Sequence, residues 1–193
     1  MFLSIFLVGF TLACIPTDNS VPILPEETTT TTTTTTPTPE PVLSCPEGWT
    51  KFDRTPTPWC MRVALGATTQ STALVTCQAL NSAAVISGFQ NQNEITTMIA
   101  AAQQQGAVPA TNLIVGAERK SECDSGITAE CTTLTSFYWT DGYTSGTDGF
   151  QWLSEQPDGG QFVVILVGSG LMDDGDGVKT RGGVVCGMKA QYL

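Results

Sequence analysis

The chain has 193 residues, with 18 acidic and 8 basic side chains, no histidine and a net charge of −10 at pH 7. That charge balance argues against a nucleic-acid partner. Without histidine, neither a Ser-His nor a Cys-His nucleophile pair can be assembled, and no motif supports carboxylate catalysis, so the chain reads as a non-enzyme.

The N-terminal stretch "MFLSIFLVGFTLAC" is an apolar run of signal-peptide length with small residues at Thr11 and Ala13. It is too short to span a bilayer and predicts a cleaved secretory signal over residues 1–14, hence a secreted, extracellular protein. Residues 15–44 follow as a spacer in which Thr28 to Thr36 are unbroken threonine flanked by proline. Low hydrophobicity and repeated proline predict an extended, disordered stalk suited to O-glycosylation. A single domain is then expected over residues 45–193.

Six cysteines lie in that domain: Cys45, Cys60, Cys77, Cys123, Cys131 and Cys186. An even number in an exported chain predicts three disulfides. Zinc is disfavoured, because histidine and C-x-x-C pairs are both absent. Six cysteines allow 15 pairings. Local spacing favours Cys45 with Cys60 and Cys123 with Cys131, which leaves Cys77 with Cys186 as a long-range staple.

Two helices are expected first. "STALVTCQALNS" sets Ala73, Cys77 and Leu80 on one helical face, so Cys77 points inward. "NQNEITTMIAAAQQQG" repeats the spacing with Ile95, Met98 and Ile99, offers an asparagine N-cap and ends at Gly106. After Asn112 the text turns to short apolar or aromatic runs, "LIVGA", "SFYWTDG", "QFVVILVG" and "GGVVCGM", separated by Gly, Asp and Ser. These are predicted strands with a long connection from Thr144 to Gly160. Helices followed by strands make an α+β domain.

From Cys45 onward, about 149 of the 193 residues, the chain resembles a C-type lectin-like domain of the long form. "CPEGWTKF" with Cys60 matches its N-terminal hairpin, and "LIVGA" stands where Trp-Ile-Gly-Leu is usual. "WTDG", "FQW", Gln156-Pro157-Asp158, "LMDD" and "VVCGM" then follow in the family's order. The extra pair Cys123 and Cys131, with the Thr-rich stalk, looks most like secreted C-type lectins of nematodes. The resemblance implies the C-type lectin fold, with two helices, two small antiparallel sheets and a long loop region, stapled by disulfides, and it supports pairing Cys77 with Cys186.

For function, the resemblance implies a carbohydrate-binding module whose partners are glycans or glycoproteins. Gln-Pro-Asp in this family supplies calcium ligands, usually across a cis proline, and goes with galactose-type preference. A hard cation takes six to eight oxygens, and the candidate metal ligands here are Gln156, Asp158, Asp173 and Asp174. Gln156, Asp158 and Asp173 are the candidate sugar contacts, and Asp174 is expected outside the core. Two departures stand out. Gln161 and Phe162 replace the usual glutamate and cysteine after the proline motif, and Gly177 or Val178 stands where the partner cysteine belongs. The site therefore reads as a degenerate, weak Ca2+ site whose loop lacks its disulfide clamp. The alternative is a calcium-independent protein-interaction or adhesion module on the same scaffold.

Residues 121–178 hold ten acidic side chains and no lysine or arginine, a field that attracts cations. Trp139 and Trp152 read as core residues, because aromatics at strand positions pack inward. Tyr143 is expected to be exposed.

Overall fold

The computed structural model describes residues 42–192; the expected signal segment and nearly all of the expected stalk lie outside them. Ten strands and two helices follow in the order β1 (Leu43–Ser44), β2 (Thr50–Phe52), β3 (Trp59–Thr68), α1 (Gln70–Leu80), β4 (Val85–Ile86), α2 (Gln92–Gln104), β5 (Asn112–Arg119), β6 (Phe137–Trp139), β7 (Phe162–Leu166), β8 (Met172–Gly175), β9 (Arg181–Lys189) and β10 (Gln191–Tyr192). Leu43 and Ser44, assigned to the stalk from composition, pair with Tyr192 and Gln191 and so close the domain at its termini.

The helices start and stop for local reasons. Asn91 caps α2, its side chain accepting from the Glu94 amide at 3.2 Å, which satisfies one of the unpaired donors at the helix start. At the other end Gly106 takes φ +96°, a left-handed turn that a side chain resists. Ala73 and Cys77 form the buried face of α1, while Ile95, Met98 and Ala102 are buried on α2 together with Glu94.

The central sheet runs β2-β3-β9-β5-β7-β8, with β4 on β9 and β6 on β5. Two antiparallel halves are joined by a short parallel contact of Leu113 and Ile114 with Gly183 and Val184. Strand alternation explains why the apolar runs are nearly continuous. Leu113, Val115, Ala117, Val163, Ile165 and Val185 face one core cluster with Ile95 and Met98 of α2. Their neighbours Ile114, Val164, Val184 and Cys186 face a second cluster with Ala73 and Cys77 of α1. Each helix thus covers one face of the sheet.

Disulfides join Cys45 to Cys60, Cys77 to Cys186 and Cys123 to Cys131. The second ties α1 to β9 across the smaller cluster. Beyond it, a buried ion pair, Arg54–Glu94, fastens the segment after β2 to the start of α2 at 2.6 Å.

Candidate functional site

The site is the connection between β6 and β7, residues 140–161, seen against β8. Its first turn is organised by Asp141, whose Oδ1 accepts the amides of Tyr143 and Thr144 at 2.8 and 2.7 Å and whose Oδ2 accepts the Gly88 amide at 2.8 Å. An aspartate bonding the backbone two and three residues on is the usual chemistry of such turns. Tyr143, expected to be exposed, is half-buried instead. It stacks on Trp59 with ring centroids 4.8 Å apart, and its hydroxyl donates to the Thr57 carbonyl. The cause is tertiary, since the turn folds back over the β3 hairpin.

Trp139 and Trp152 are packed rather than presented. Trp139 stacks on Phe150 with centroids 4.0 Å apart, and Phe150 faces Trp152 at 5.9 Å. Both indole N–H groups are used, donating to the carbonyls of Gly146 and Thr133 at 2.9 and 2.8 Å. The chain then runs along β8, where Met172 N donates to Gln151 O at 2.6 Å and Leu153 N to Met172 O at 2.9 Å.

The Gln156-Pro157-Asp158 turn follows, with a cis Gln156–Pro157 peptide and a buried proline. Its next two amides both reach one side chain: Asp158 N donates to Asp174 Oδ1 at 2.8 Å and Gly159 N to Oδ2 at 3.1 Å. A third donor to that carboxylate is Arg119, whose Nη2 lies 2.6 Å from Oδ2, while its Nε donates to Gly160 O at 2.7 Å. The two side chains are 1% and 0% exposed. Asp174 is therefore a core residue, contrary to its expected surface position. Strand alternation places it on the buried face of β8 with Met172 and leaves Asp173 between them half-exposed.

Asp173 and Asp158 supply the acidic surface of the site. Burial pushes the Asp173 carboxyl above its ordinary value, and the charges of Asp174 and Asp158 add to the shift, against Arg181 and the Asp174 amide. Gln156 Oε1 is buried without a hydrogen-bond partner. A calcium ion would need these oxygens to converge. Asp174 is instead turned inward and engaged by three donors, and among the described residues no group of three acidic, histidine or cysteine side chains is placed to hold a metal ion. The donor set does not fit calcium.

The missing disulfide clamp has a visible replacement. The Phe162 ring lies over Gly177, so close that a Cβ there would meet it at 2.7 Å. Phe162 stands where the resemblance implies one lost cysteine, and Gly177 is one of the two residues, with Val178, near the place of the other. Arg119 was missed in the sequence because it stands just outside the acidic stretch. Its signal was a charged residue at the end of an apolar strand, which needs a buried partner.

No protein-family model matches the chain. In Caenorhabditis elegans, a nematode, C-type lectin domain-containing protein 141 is 38% identical over 127 residues, 56% of this chain and 41% of that protein, so the matched region is less than half of the relative. Among solved structures, the cow CD23 C-type carbohydrate-recognition domain, crystallised in the presence of a GlcNAc2Man3 oligosaccharide, covers 78% of this chain and 99% of its own, at 21% identity and TM-score 0.55. The lectin CEL-I of Cucumaria echinata covers 76% of this chain and 99% of its own, at 18% identity and TM-score 0.57. A calcium-independent type II antifreeze protein covers 78% of this chain and 98% of its own, at 18% identity and TM-score 0.55. With two helices on opposite faces of the sheet, a long loop braced on β8 and these likenesses, the chain carries a domain of the C-type lectin fold.

Proposed function

We propose that this domain is an extracellular carbohydrate-binding module that takes glycans or glycoproteins at the Gln156-Pro157-Asp158 turn. The observation that carries this reading is the pairing of exposed Asp158 with half-exposed Asp173, close enough for one charge to shift the other's titration, on a loop braced from beneath. Two neighbouring carboxylates are acceptors suited to vicinal sugar hydroxyls, which are donors. The Gln156 amide beside them adds directional polarity. The CD23 domain, crystallised with an oligosaccharide, supports the reading by analogy of fold.

A glycan array that includes terminal-galactose structures, probed with and without chelator, tests it. Binding should be lost in Asp158→Ala, whose fold is kept because that side chain is exposed. Absence of binding to any glycan by the folded wild type would overturn the proposal. A protein-interaction module on the same scaffold then stands, favoured by one observation: Asp174 is engaged by Arg119 rather than open to a cation. That the fold is also found in antifreeze proteins agrees with such versatility.

A further inference from the structure

We infer that Arg119 is a built-in counter-cation: its guanidinium seats the Gln156–Gly160 turn on β8 and makes the long loop independent of calcium. The inference is independent of which ligand the loop takes. It begins with the three places the guanidinium reaches. Nη2 pairs with Asp174, Nε donates to the Gly160 carbonyl and Nη1 reaches the Cys123 carbonyl at 3.4 Å. Three segments distant in sequence therefore meet on one positive charge: the turn, β8 and the disulfide loop after β5. The Phe137 ring lies 4.7 Å from the guanidinium carbon and helps to exclude water from the pair.

Asp174 completes the arrangement by accepting the Asp158 and Gly159 amides, so the backbone of the turn is bonded to a carboxylate that Arg119 neutralises. A divalent ion at Asp174 would have to displace these donors and sit against a fixed positive charge. Two features that the family resemblance leads one to expect around calcium are missing together: the glutamate and the disulfide, replaced by Gln161 and by Phe162 over Gly177. A guanidinium also differs from a metal in kind, because it is part of the chain and cannot be removed by chelation or by dilution.

Calcium titration of the wild-type protein, followed by melting temperature and calorimetry, is the first test. A site of the affinity usual for extracellular modules, held at about one hundred times its Kd, would raise the melting temperature by about 5–10 °C. The expectation is no shift, with or without chelator. A calcium-dependent rise in the wild type would overturn the inference whatever the array shows. The second test is hydrogen exchange in Arg119→Gln and in Arg119→Lys, which retains the charge. The Asp158 and Gly159 amides should exchange at least tenfold faster in Arg119→Gln, with partial protection restored in Arg119→Lys. Unchanged exchange in Arg119→Gln would show that the turn is held without the guanidinium. Should Arg119→Gln fail to fold, the wild-type titration decides alone.

Discussion

Glu94 is the most exacting test of how the loop is founded. It lies on the buried face of α2 beside Ile95, where its Oε1 accepts Arg54 Nε at 2.8 Å and its Oε2 accepts both Arg54 Nη2 and the Gln90 amide at 2.6 Å. Arg54 continues to Thr144 Oγ1 at 2.9 Å and to the Gly88 carbonyl at 3.3 Å, which joins α2 to the first turn of the long connection. The side chains are 4% and 2% exposed. Glu94→Gln preserves the volume but leaves a guanidinium without its counter-charge or water. Breaking a buried pair in this way costs about 3–5 kcal/mol. For a domain of this size that is a fall in melting temperature of about 6–20 °C. Arg54→Met with Glu94→Leu removes both charges, so the double variant should be less destabilised than the two single changes added together, by about 2 kcal/mol or more. Urea unfolding of Glu94→Gln and of the four proteins of the cycle (wild type, Arg54→Met, Glu94→Leu and the double variant), with disulfides intact and followed by tryptophan fluorescence, measures the cost and the coupling. Single changes that each cost below about 1 kcal/mol, or costs that simply add, would refute the idea that the pair is a desolvated unit.

Two further predictions follow from the same loop. Asp173 has a folded-state pKa raised by burial and by Asp174 and Asp158, so the folded state keeps a proton that the unfolded chain releases; stability then falls as pH rises from the ordinary carboxylate range through the raised value. Asp173→Asn should raise the melting temperature at pH 7 and leave it unchanged near about pH 3, where the aspartate is protonated in both states, and a lower melting temperature at pH 7 would contradict the sign. Gly160→Ala should lift the turn from β8, because its Cβ would lie 2.0 Å from the Gly175 amide nitrogen and 2.4 Å from its Cα. A crystal structure or a hydrogen-exchange map with the Asp158 and Gly159 amides still protected would count against that contact.

What could be read from the sequence divides along a physical line. Elements set by local chemistry were legible. The i, i+4, i+7 spacing of Ala73, Cys77 and Leu80 and the asparagine cap of α2 depend on neighbours within two turns, and the structure has both helices there. The strands over "LIVGA", "FVVIL" and "VVCGM" were visible as apolar runs. What the runs did not reveal was that alternate residues serve two cores. From the resemblance, "LMDD" was read as supplying two metal ligands, Asp173 and Asp174, yet it is β8, and the period of a strand turns one aspartate inward. Tyr143 was misplaced for a related reason, since only the fold brings Trp59 beneath it.

The ion pair at the centre of the site shows why the remainder was hidden. Arg119 shares its parity on β5 with Leu113, Val115 and Ala117, which is a sequence signal that its charge faces the larger core and needs a partner. Ten acidic residues follow it between positions 121 and 178, and nothing local distinguishes Asp174, 55 residues away. The choice is made by strand order. β7 pairs with both β5 and β8, so the end of β5 and the inward position of β8 are separated only by the turn that enters β7, and Gly160, at that entry, has no side chain to keep them apart. The charge-rich stretch that composition presents as an open attractor for cations is therefore, at its one buried carboxylate, already neutralised from the neighbouring strand. Of the nine other acidic residues in the stretch, Asp158 and Asp173 are the two proposed above to meet a ligand.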